Sequence, residues 1–455
     1  MFSMLWAIVW NSFRNFAYRE TNSEHWEKRT LNIERKTNSI MQYTITAPQT
    51  INATIALPAS KSISNRALII HALSCGDILP QNLSVCDDTE VIIDAMQRRP
   101  YEIDIKGAGT AMRFLTAFLA TQPGEHVITG TDRMKQRPIG ILVNALRYLG
   151  ADIEYLGEEG YPPLRIKGRT LEGGYIEVAG NISSQYISAL LMIAPTLKNG
   201  LQLRITDGAI SRPYIDLTLW MMREYGADAD WSDADTITVN AKPYERHEYT
   251  IESDWSAAAY WYEMLALRGN DESEVRFKGL MDASRQGDSI VKYIFSLLGV
   301  KTKYSTVEGE HFPTVSIKSH QCMLPRLDYD FSSVPDLAQP VVVTCALRGI
   351  PFRFTGLATL RIKETDRIEA LKRELRKLGF VLRDENGDTL IWDGTRCEPT
   401  LEPIDTYDDH RMAMAFAPAA IMFPGLRINE PQVVTKSYPQ YWEDMQVAGF
   451  EVKGC

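Results

Sequence analysis

The chain has 455 residues, 45% of them hydrophobic, and a formal net charge of −9 at neutral pH. This length exceeds what one hydrophobic core normally serves, so we expect two domains. The acidic balance argues against nucleic acid or an anionic membrane as the main partner, which makes local clusters of cations informative. Six cysteines without a C-x-x-C pair and seven histidines without an H-x-x-x-H pattern predict a cytoplasmic protein without a metal site of its own.

Residues 1–40 differ from the rest of the chain. Their apolar run, residues 4–10, is too short to span a bilayer and lacks the flanking pattern of a signal peptide. We interpret this stretch as an N-terminal extension, disordered or not native, with the natural start at Met41, where a strand-like alternation begins. An amphipathic surface helix is the alternative interpretation.

The segment 58–66, Pro-Ala-Ser-Lys-Ser-Ile-Ser-Asn-Arg, combines two cations with three hydroxyls just before an apolar helix. Lys61 offers a point charge, Arg66 a planar fork and Ser62 a short donor, while the start of a helix aims free backbone N–H groups at a ligand. This combination predicts an anion site. The alternative is an ordinary capped helix with two solvated cations.

Two further clusters follow. In the segment 106–113, Gly109 and Arg113 enter an apolar helix, but the third glycine of a dinucleotide-binding fingerprint is missing, so we predict a second anion-facing helix start. Arg133, Lys135 and Arg137 stand at alternate positions, which predicts an extended segment with the three cations on one side, before a helix that begins at Pro138.

Polar residues also precede apolar helices at 183–185 and 211–214, where a cap or a turn is the alternative to a ligand contact.

In the second half of the chain, the segments 361–367 and 407–411 contain both carboxylates and cations. Arg367 and Arg411 stand at predicted helix N-termini, where the helix dipole opposes a cation, and an anionic ligand would explain them. Asp336 begins another apolar helix, and Lys436 follows a strand-like pair of valines.

A glycine pattern recurs along the chain. Helix-like stretches end in an apolar residue and a glycine, and a strand-like stretch follows, at intervals of 70 to 80 residues. Glycine suits the left-handed conformation that ends a helix. The glycines are Gly150, Gly226, Gly299, Gly379 and Gly449. Counting back one interval adds an abbreviated first unit, so we predict six α/β units, three in each of two domains.

From Met41 to its end, the chain resembles the 5-enolpyruvylshikimate-3-phosphate (EPSP) synthase family. The resemblance rests on the segments 58–66, 108–113, 133–140, 183–185, 361–367 and 409–414. It implies an α/β enolpyruvyl transferase fold, an inside-out α/β barrel, with two domains of three βαβαββ units each. The implied boundaries are 41–58 plus 253–455 for domain I and 59–252 for domain II, joined by a two-chain hinge that closes on substrate.

The resemblance also implies the reaction. The enolpyruvyl group of phosphoenolpyruvate passes to the 5-hydroxyl of shikimate 3-phosphate, and phosphate leaves, by addition and then elimination, on the route to chorismate and the aromatic amino acids. We expect a monomer that needs no cofactor or metal and binds neither nucleic acid nor membrane. The alternatives are an enolpyruvyl transferase with another acceptor and an inactive relative that only binds. A nucleotide-sugar acceptor is disfavoured, because the related transferase that uses one carries a reactive cysteine in the loop before the matching arginine-proline pair. This chain has no cysteine between Cys86 and Cys322.

The residues that the resemblance assigns fall into three groups. The implied contacts to shikimate 3-phosphate are Lys61, Ser62, Arg66, Ser183, Ser184, Gln185, Ser211, Asp336 and Lys363. The implied contacts to phosphoenolpyruvate are Lys61, Gly109, Arg113, Arg137, Gln185, Arg367, Arg411 and Lys436. The implied catalytic residues are Asp336 as base on the hydroxyl, Glu364 as proton carrier, Lys61 and Lys436 at the departing phosphate, and His410.

Overall fold

The computed structural model describes residues 41–76, 79–270, 272–306, 309, 312–321 and 323–454. The N-terminal extension predicted over 1–40 lies outside the described residues. Within the described ranges, no helix has both the length and the apolar character needed to cross a bilayer.

The strands are short. In chain order they are β1 (Gln42–Thr46), β2 (Asn52–Ala56), β3 (Glu102–Asp104), β4 (Gly124–Thr129), β5 (Asp152–Tyr155), β6 (Leu164–Gly168), β7 (Gly174–Ala179), β8 (Leu201–Thr206), β9 (Ala229–Trp231), β10 (Thr236–Val239), β11 (Glu274–Lys278), β12 (Val300–Ser305), β13 (Thr314–Ser319), β14 (Leu327–Asp330), β15 (Phe352–Thr355), β16 (Arg383–Glu385), β17 (Thr389–Trp392), β18 (Leu426–Asn429) and β19 (Glu451–Gly454).

The α-helices alternate with these strands. They are α1 (Lys61–Ser74), α2 (Asp87–Arg98), α3 (Gly109–Thr121), α4 (Asp132–Lys135), α5 (Gly140–Tyr148), α6 (Ser184–Ile193), α7 (Arg212–Glu224), α8 (Trp255–Arg268), α9 (Val291–Leu297), α10 (Ala338–Leu347), α11 (Arg367–Lys377), α12 (His410–Phe416) and α13 (Tyr441–Val447). Short 3-10 helices lie at Ala194–Thr196, Gly287–Ile290, Pro335–Leu337, Ala358–Ile362, Ala417–Ile421 and Pro431–Lys436.

Four four-stranded sheets share one topology, with strand orders β2-β11-β13-β12, β3-β4-β6-β5, β7-β8-β10-β9 and β14-β15-β17-β16. In each sheet the first two strands in the chain are parallel, and a hairpin completes the sheet with antiparallel strands. In three of these sheets a helix joins the parallel strands, whereas between β2 and β11 the chain first forms the continuous core and then α8. Each sheet thus belongs to a βαβαββ unit, as predicted. The five recurring glycines all have positive φ, from +78° to +100°, which confirms their role as helix ends.

The two remaining units are less regular. Strand β1 lies between β18 and β19 and is antiparallel to both, and Ile404 adds a parallel bridge to Ile428 at the edge of this sheet. Around α1 and α2, the sheet is reduced in the described residues to bridges such as Gln81 with Thr250. The first unit is therefore abbreviated, as the glycine count predicted.

Two hydrophobic cores form among the described residues. The discontinuous core takes its buried apolar residues from 45–57 and 255–450, and the continuous core takes its own from 59–251. The chain crosses between the cores twice at one place, where Ser60 N–H donates to the Glu252 carbonyl (2.8 Å) and Asp254 N–H donates to the Pro58 carbonyl (2.9 Å). The two crossings are thus hydrogen-bonded to each other.

Three local predictions were wrong. Arg133 and Lys135 lie on the helical turn α4 and not on an extended segment, because the Thr131 hydroxyl accepts the Met134 N–H (3.3 Å) and caps a helix there. The next helix begins at Gly140, two residues after Pro138. The valines before Lys436 belong to the 3-10 helix Pro431–Lys436, whose proline fixes its first turn.

Candidate active site

Helix α1 begins where the first anion site was predicted. Ser60 is its N-cap, and the Ser60 hydroxyl accepts the Ile63 N–H (3.5 Å). Lys61 starts the helix and pairs with Asp88, with 3.1 Å between Nζ and Oδ2. Burial lowers the pKa of Lys61, but the Asp88 carboxylate outweighs this and holds the pKa above its ordinary value. Lys61 therefore stays charged at the wall of the cleft.

Arg66 lies one turn further along α1 and is only 3% exposed. Its Nε donates to Thr218 (2.7 Å), its Nη1 to the Ser62 carbonyl (2.9 Å), and its Nη2 to Ser188 (3.2 Å) and to the Tyr214 carbonyl (3.3 Å). Burial lowers its pKa to about 10. A guanidinium has five N–H donors, and these four hydrogen bonds leave one of them for a ligand. Arg66 thus ties α1 to α6 and α7 behind the cleft.

Helix α3 begins at Gly109 against Arg137. A Cβ on Gly109 would lie 2.7 Å from both terminal nitrogens of Arg137, so a larger residue there would displace this guanidinium. Arg113 donates to the Gly109 carbonyl (3.1 Å) and to the Pro138 carbonyl (2.9 Å), and burial lowers its pKa to about 10. Arg113 therefore holds the two segments together behind Arg137.

Two further helix starts reach the same cleft. The Ser183 hydroxyl caps α6 by accepting the Gln185 N–H (3.3 Å), and the Gln185 side chain donates to Thr110 (3.2 Å). Ser211 precedes α7 in a left-handed conformation with φ of 53°, and its N–H donates to the Ser332 carbonyl (2.8 Å) of the opposite wall.

Asp336 lies on the opposite wall between three cations. Its Oδ1 is 2.8 Å from Arg367 Nη1 and 3.5 Å from Lys363 Nζ, and its Oδ2 is 3.2 Å from Arg411 Nη2. Burial alone would raise the pKa of Asp336, but Arg411, Lys363 and Arg367 together hold it well below its ordinary value. The carboxylate is therefore ionised at neutral pH.

Glu364 forms ion pairs with cations of both walls. Its Oε2 is 2.8 Å from Arg367 Nη2, and its Oε1 is 3.7 Å from Nη1 of Arg137, which belongs to the continuous core. Burial opposes ionisation of Glu364, but Arg367 and Arg137 outweigh it, so the pKa of this carboxyl also lies well below its ordinary value. A second ionised carboxylate thus lies where the two walls meet.

Asp409 explains in part why Arg367 and Arg411 stand at helix N-termini. It is the N-cap of α12 and accepts the Arg411 N–H (2.9 Å), while its Oδ2 accepts from Arg367 Nε (2.7 Å). This buried carboxylate offsets the unfavourable interaction of both arginines with the helix dipoles. An anionic ligand is therefore not the whole reason for their positions.

His410 and Lys436 differ from the other predicted residues. His410 is 3% exposed, and neither ring nitrogen has a hydrogen-bond partner among the described residues. Burial, reinforced by Lys61, holds its pKa well below the ordinary value, so the imidazole is neutral. Lys436 Nζ is bound by Asp408, at 2.7 Å from its carbonyl and 2.8 Å from its Oδ1. Lys436 lines a neighbouring cavity, and Asp88 lines both this cavity and the main cleft.

One cleft brings the predicted residues together, Lys436 excepted. Residues of the continuous core on its wall are Lys61, Ser62, Arg66, Gly109, Arg113, Arg137, Ser183, Ser184, Gln185 and Ser211. Residues of the discontinuous core on its wall are Asp336, Lys363, Glu364, Arg367, His410 and Arg411. No cluster of three or more His, Cys, Asp or Glu side chains suited to a metal occurs in the described ranges.

Sequence reasoning left several polar residues of the wall unassigned, among them Asp88, Thr110, Tyr186 and Tyr214. Asp88 stands in the acidic first turn of α2, where a carboxylate is typical of any helix, so no local signal separated it from a capping residue. Tyr214 is the last residue of the predicted segment 211–214, and its hydroxyl donates to Asp288 of the opposite core (2.8 Å). Burial raises the pKa of Asp288 to about 6.

Comparison with known proteins gives consistent results. The family model described as EPSP synthase (3-phosphoshikimate 1-carboxyvinyltransferase) matches residues 96–445. A 3-phosphoshikimate 1-carboxyvinyltransferase of Bacteroides fragilis is 59% identical over 414 residues, which cover 91% of this chain and 99% of the relative. The enzyme of that name from Photobacterium profundum is 34% identical, over 87% of this chain and 96% of the relative.

A solved structure supports the fold. The EPSP synthase of Acinetobacter baumannii aligns with a TM-score of 0.69 at 20% identity, over 91% of this chain and all of that one. The family match and the high identity along most of the chain agree with the six units and the charged cleft. The chain belongs to the EPSP synthase (3-phosphoshikimate 1-carboxyvinyltransferase) family.

Proposed function

We propose that this chain transfers the enolpyruvyl group of phosphoenolpyruvate to the 5-hydroxyl of shikimate 3-phosphate and releases phosphate. The observation that carries the proposal is the pair of ionised carboxylates, Asp336 and Glu364, held by Arg367 and faced across the cleft by Lys61 and Arg137. Two anionic substrates need cations from both sides, and the proton transfers need carboxylates within reach.

In this proposal each substrate contacts both walls of the cleft. The contacts proposed for shikimate 3-phosphate are Lys61, Ser62, Arg66, Ser183, Ser184, Gln185, Ser211, Asp336 and Lys363. The contacts proposed for phosphoenolpyruvate are Lys61, Gly109, Arg113, Arg137, Gln185, Arg367, Arg411 and Lys436. Lys436 would act from the neighbouring cavity.

Asp336 is the proposed base. A carboxylate held by three cations is a weak base, but bound phosphate and carboxylate groups share those cations and so raise its proton affinity. Asp336 would then accept the proton of the 5-hydroxyl as the oxygen attacks phosphoenolpyruvate.

Glu364 is ionised in the free protein, so it would first take up a proton from solvent as the bound anions compete for its cations. It would deliver this proton to the methylene carbon during addition and take one back from the resulting methyl group during elimination. His410, neutral and buried beside it, would orient this exchange. Lys61 and Lys436 would stabilise the charge of the departing phosphate.

We further propose that the two cores are the domains 41–58 plus 253–455 and 59–252, and that the crossing at Ser60 and Asp254 is their hinge. Because one chain supplies both walls, a monomer suffices. A cytoplasmic location fits the free thiols of Cys75, Cys86, Cys345 and Cys397.

The test is phosphate release from phosphoenolpyruvate by the purified protein, with and without shikimate 3-phosphate. We expect release only when both are present. Release that needs a different acceptor would favour a related transferase, and binding of both substrates without release would favour an inactive relative.

The matched variants test Asp336. Asp336→Asn should fold normally and lose turnover by a factor of about 100 or more, because it lacks the base. Asp328→Asn is the control, since that carboxyl is 58% exposed and lies on β14, away from the cleft. Unchanged turnover in Asp336→Asn would remove this residue from the mechanism.

A further inference from the structure

Arg133 joins the two walls at the rim of the cleft. It lies on α4, beside the continuous core, and its side chain reaches residues 230 positions further along the chain. Its Nε donates to the Glu364 carbonyl (3.1 Å), and its Nη2 donates to the Lys363 carbonyl (3.1 Å). One guanidinium therefore binds two consecutive backbone carbonyls, which belong to the proposed proton carrier and to a proposed substrate contact.

The stretch that Arg133 binds has little support of its own. Lys363 and Glu364 lie between the 3-10 helix Ala358–Ile362 and Asp366, the N-cap of α11. No backbone N–H within the described ranges donates to either carbonyl. The side chain of Arg133 is thus what holds the backbone of these two residues from the opposite wall.

The same segment also reaches the Glu364 side chain. Arg137, four residues after Arg133, is 3.7 Å from Glu364 Oε1. Residues 133–137 therefore hold Glu364 at both its backbone and its carboxylate, and they can do so only when the two walls are close together. Arg133 itself is exposed and does not line the cleft, so it has no part in binding substrate directly.

We propose that Arg133 is a positioning residue that couples closure of the cleft to the placement of Lys363 and Glu364. The proposal rests on the function proposed above. The planar fork of arginine matches two adjacent acceptors, which the single ammonium of lysine cannot reproduce. Because hydrogen bonds of an exposed cation contribute little to stability, the effect of Arg133 falls on turnover and not on folding. Misplacement of a reacting group by about 1 Å can cost a factor of about 100 in rate.

The experiment compares Arg133→Ala and Arg133→Lys with Lys135→Ala in the full chain. Lys135 is the matched control, because it lies on the same helical turn, is also exposed, and pairs only with Asp132 (3.4 Å) among the described residues. We measure kcat and KM for each substrate, the Kd of shikimate 3-phosphate alone by titration calorimetry, and the thermal midpoint.

The expected result is a kcat lowered 10- to 100-fold in Arg133→Ala, with KM and the Kd of shikimate 3-phosphate within about twofold of the wild type. Arg133→Lys should recover part of the loss, and Lys135→Ala should match the wild type. All three variants should keep the wild-type thermal midpoint.

Three results would overturn the inference. They are a kcat of Arg133→Ala within twofold of the wild type, an equal loss in Lys135→Ala, and a loss confined to KM, which would make Arg133 a substrate contact. A wild-type protein that releases no phosphate would instead overturn the proposed function, and this inference with it. The wild-type assay therefore separates the two failures.

Discussion

Two glycines at the start of α3 differ in what their missing side chains would touch. A Cβ on Gly109 would lie 2.7 Å from the Arg137 guanidinium, whereas a Cβ on Gly107 would lie 3.7 Å from Lys436 Nζ, at ordinary contact distance. Gly109→Ala should displace Arg137 and raise the KM for phosphoenolpyruvate about tenfold, the effect of losing about 1.4 kcal/mol of binding. Gly107→Ala, the control, should leave KM within twofold, and equal effects of both substitutions would contradict this explanation.

Asp288 should make stability depend on pH. Burial raises its pKa from 3.8 to about 6, so between these values the folded protein holds a proton that the unfolded chain releases. The free energy of unfolding therefore falls as pH rises through this window, and the contribution is fully present only below it. The stability of the wild type relative to Asp288→Asn should decrease by about 1 kcal/mol or more from pH 5 to pH 7 in urea denaturation.

The control for Asp288 is Asp282→Asn. The Lys292 ammonium hydrogen-bonds to Asp282 and lowers the pKa of that carboxyl, so it titrates below this range. The relative stability of this variant should not change between pH 5 and pH 7. The same slope in both variants would show that Asp288 is not the group responsible.

Residue types at helix starts predicted most of the cleft, because cations, hydroxyls and glycine before an apolar helix are a local signal. Partners such as Asp88 and Asp288 could not be predicted this way. Each stands in or near an ordinary acidic helix start, and its significance comes from a side chain that approaches through space, Lys61 for one and Tyr214 for the other. Such pairings depend on how the units pack and leave no mark on the neighbouring sequence.

At the scale of single elements, helix α8 contains a carboxyl group, Glu263, that is buried in the hydrophobic core. Glu263 is fully buried, and neither side-chain oxygen has a hydrogen-bond partner among the described residues. Burial raises its pKa well above the ordinary value, so the group is protonated. Glu263→Met should raise the free energy of unfolding by about 1–3 kcal/mol, because it replaces an unpaired polar group with an apolar side chain of similar size. Chemical denaturation at pH 7 measures this.

Glu263→Gln is the companion variant. It removes the ionisable group but keeps two polar atoms, so it should gain less stability than Glu263→Met. A loss of stability in Glu263→Met would show that the carboxyl group makes a hydrogen bond, for example to a buried water, and would contradict the prediction.

The helices were predictable as elements because apolar periodicity and caps act over a few residues. The failures were short. Helix α4 has one turn, and the Thr131 hydroxyl, not periodicity, starts it. The valines before Lys436 have a strand-like composition, but Pro431 begins a 3-10 helix there. In segments this short, one side-chain hydrogen bond or one proline outweighs the intrinsic preference of the residues.

For the whole molecule, the two cores share no residue, which bears on how the protein unfolds. Without ligand, calorimetry should resolve two transitions, one for each core. Shikimate 3-phosphate, with proposed contacts on both walls, should raise the midpoints and bring them together. At a free concentration of 100 times Kd, bound ligand adds about 2.7 kcal/mol to the free energy of unfolding. One ligand-independent transition would contradict the prediction.

The repeat of units was predictable at this scale because each unit ends a helix with a glycine in the left-handed conformation. The identity of the strands that complete the sheets was not. Strand β1 pairs with β18 and β19, and β2 pairs with β11, more than 200 residues away. Alternation in a strand indicates which face is buried, but it does not identify the neighbour.

The distant pairing of β1 and β2 has a consequence for biosynthesis. A ribosome makes β1 long before β19, one of its two neighbours, which lies at Glu451–Gly454. The segment 59–252 is continuous and can fold while later residues are still being translated, whereas β2 must wait for β11 and β1 must wait for β18 and β19. We therefore expect ribosome-bound chains long enough for residue 252 to have left the ribosome to hold a protease-resistant core, and chains truncated before β18 to leave β1 open to cleavage.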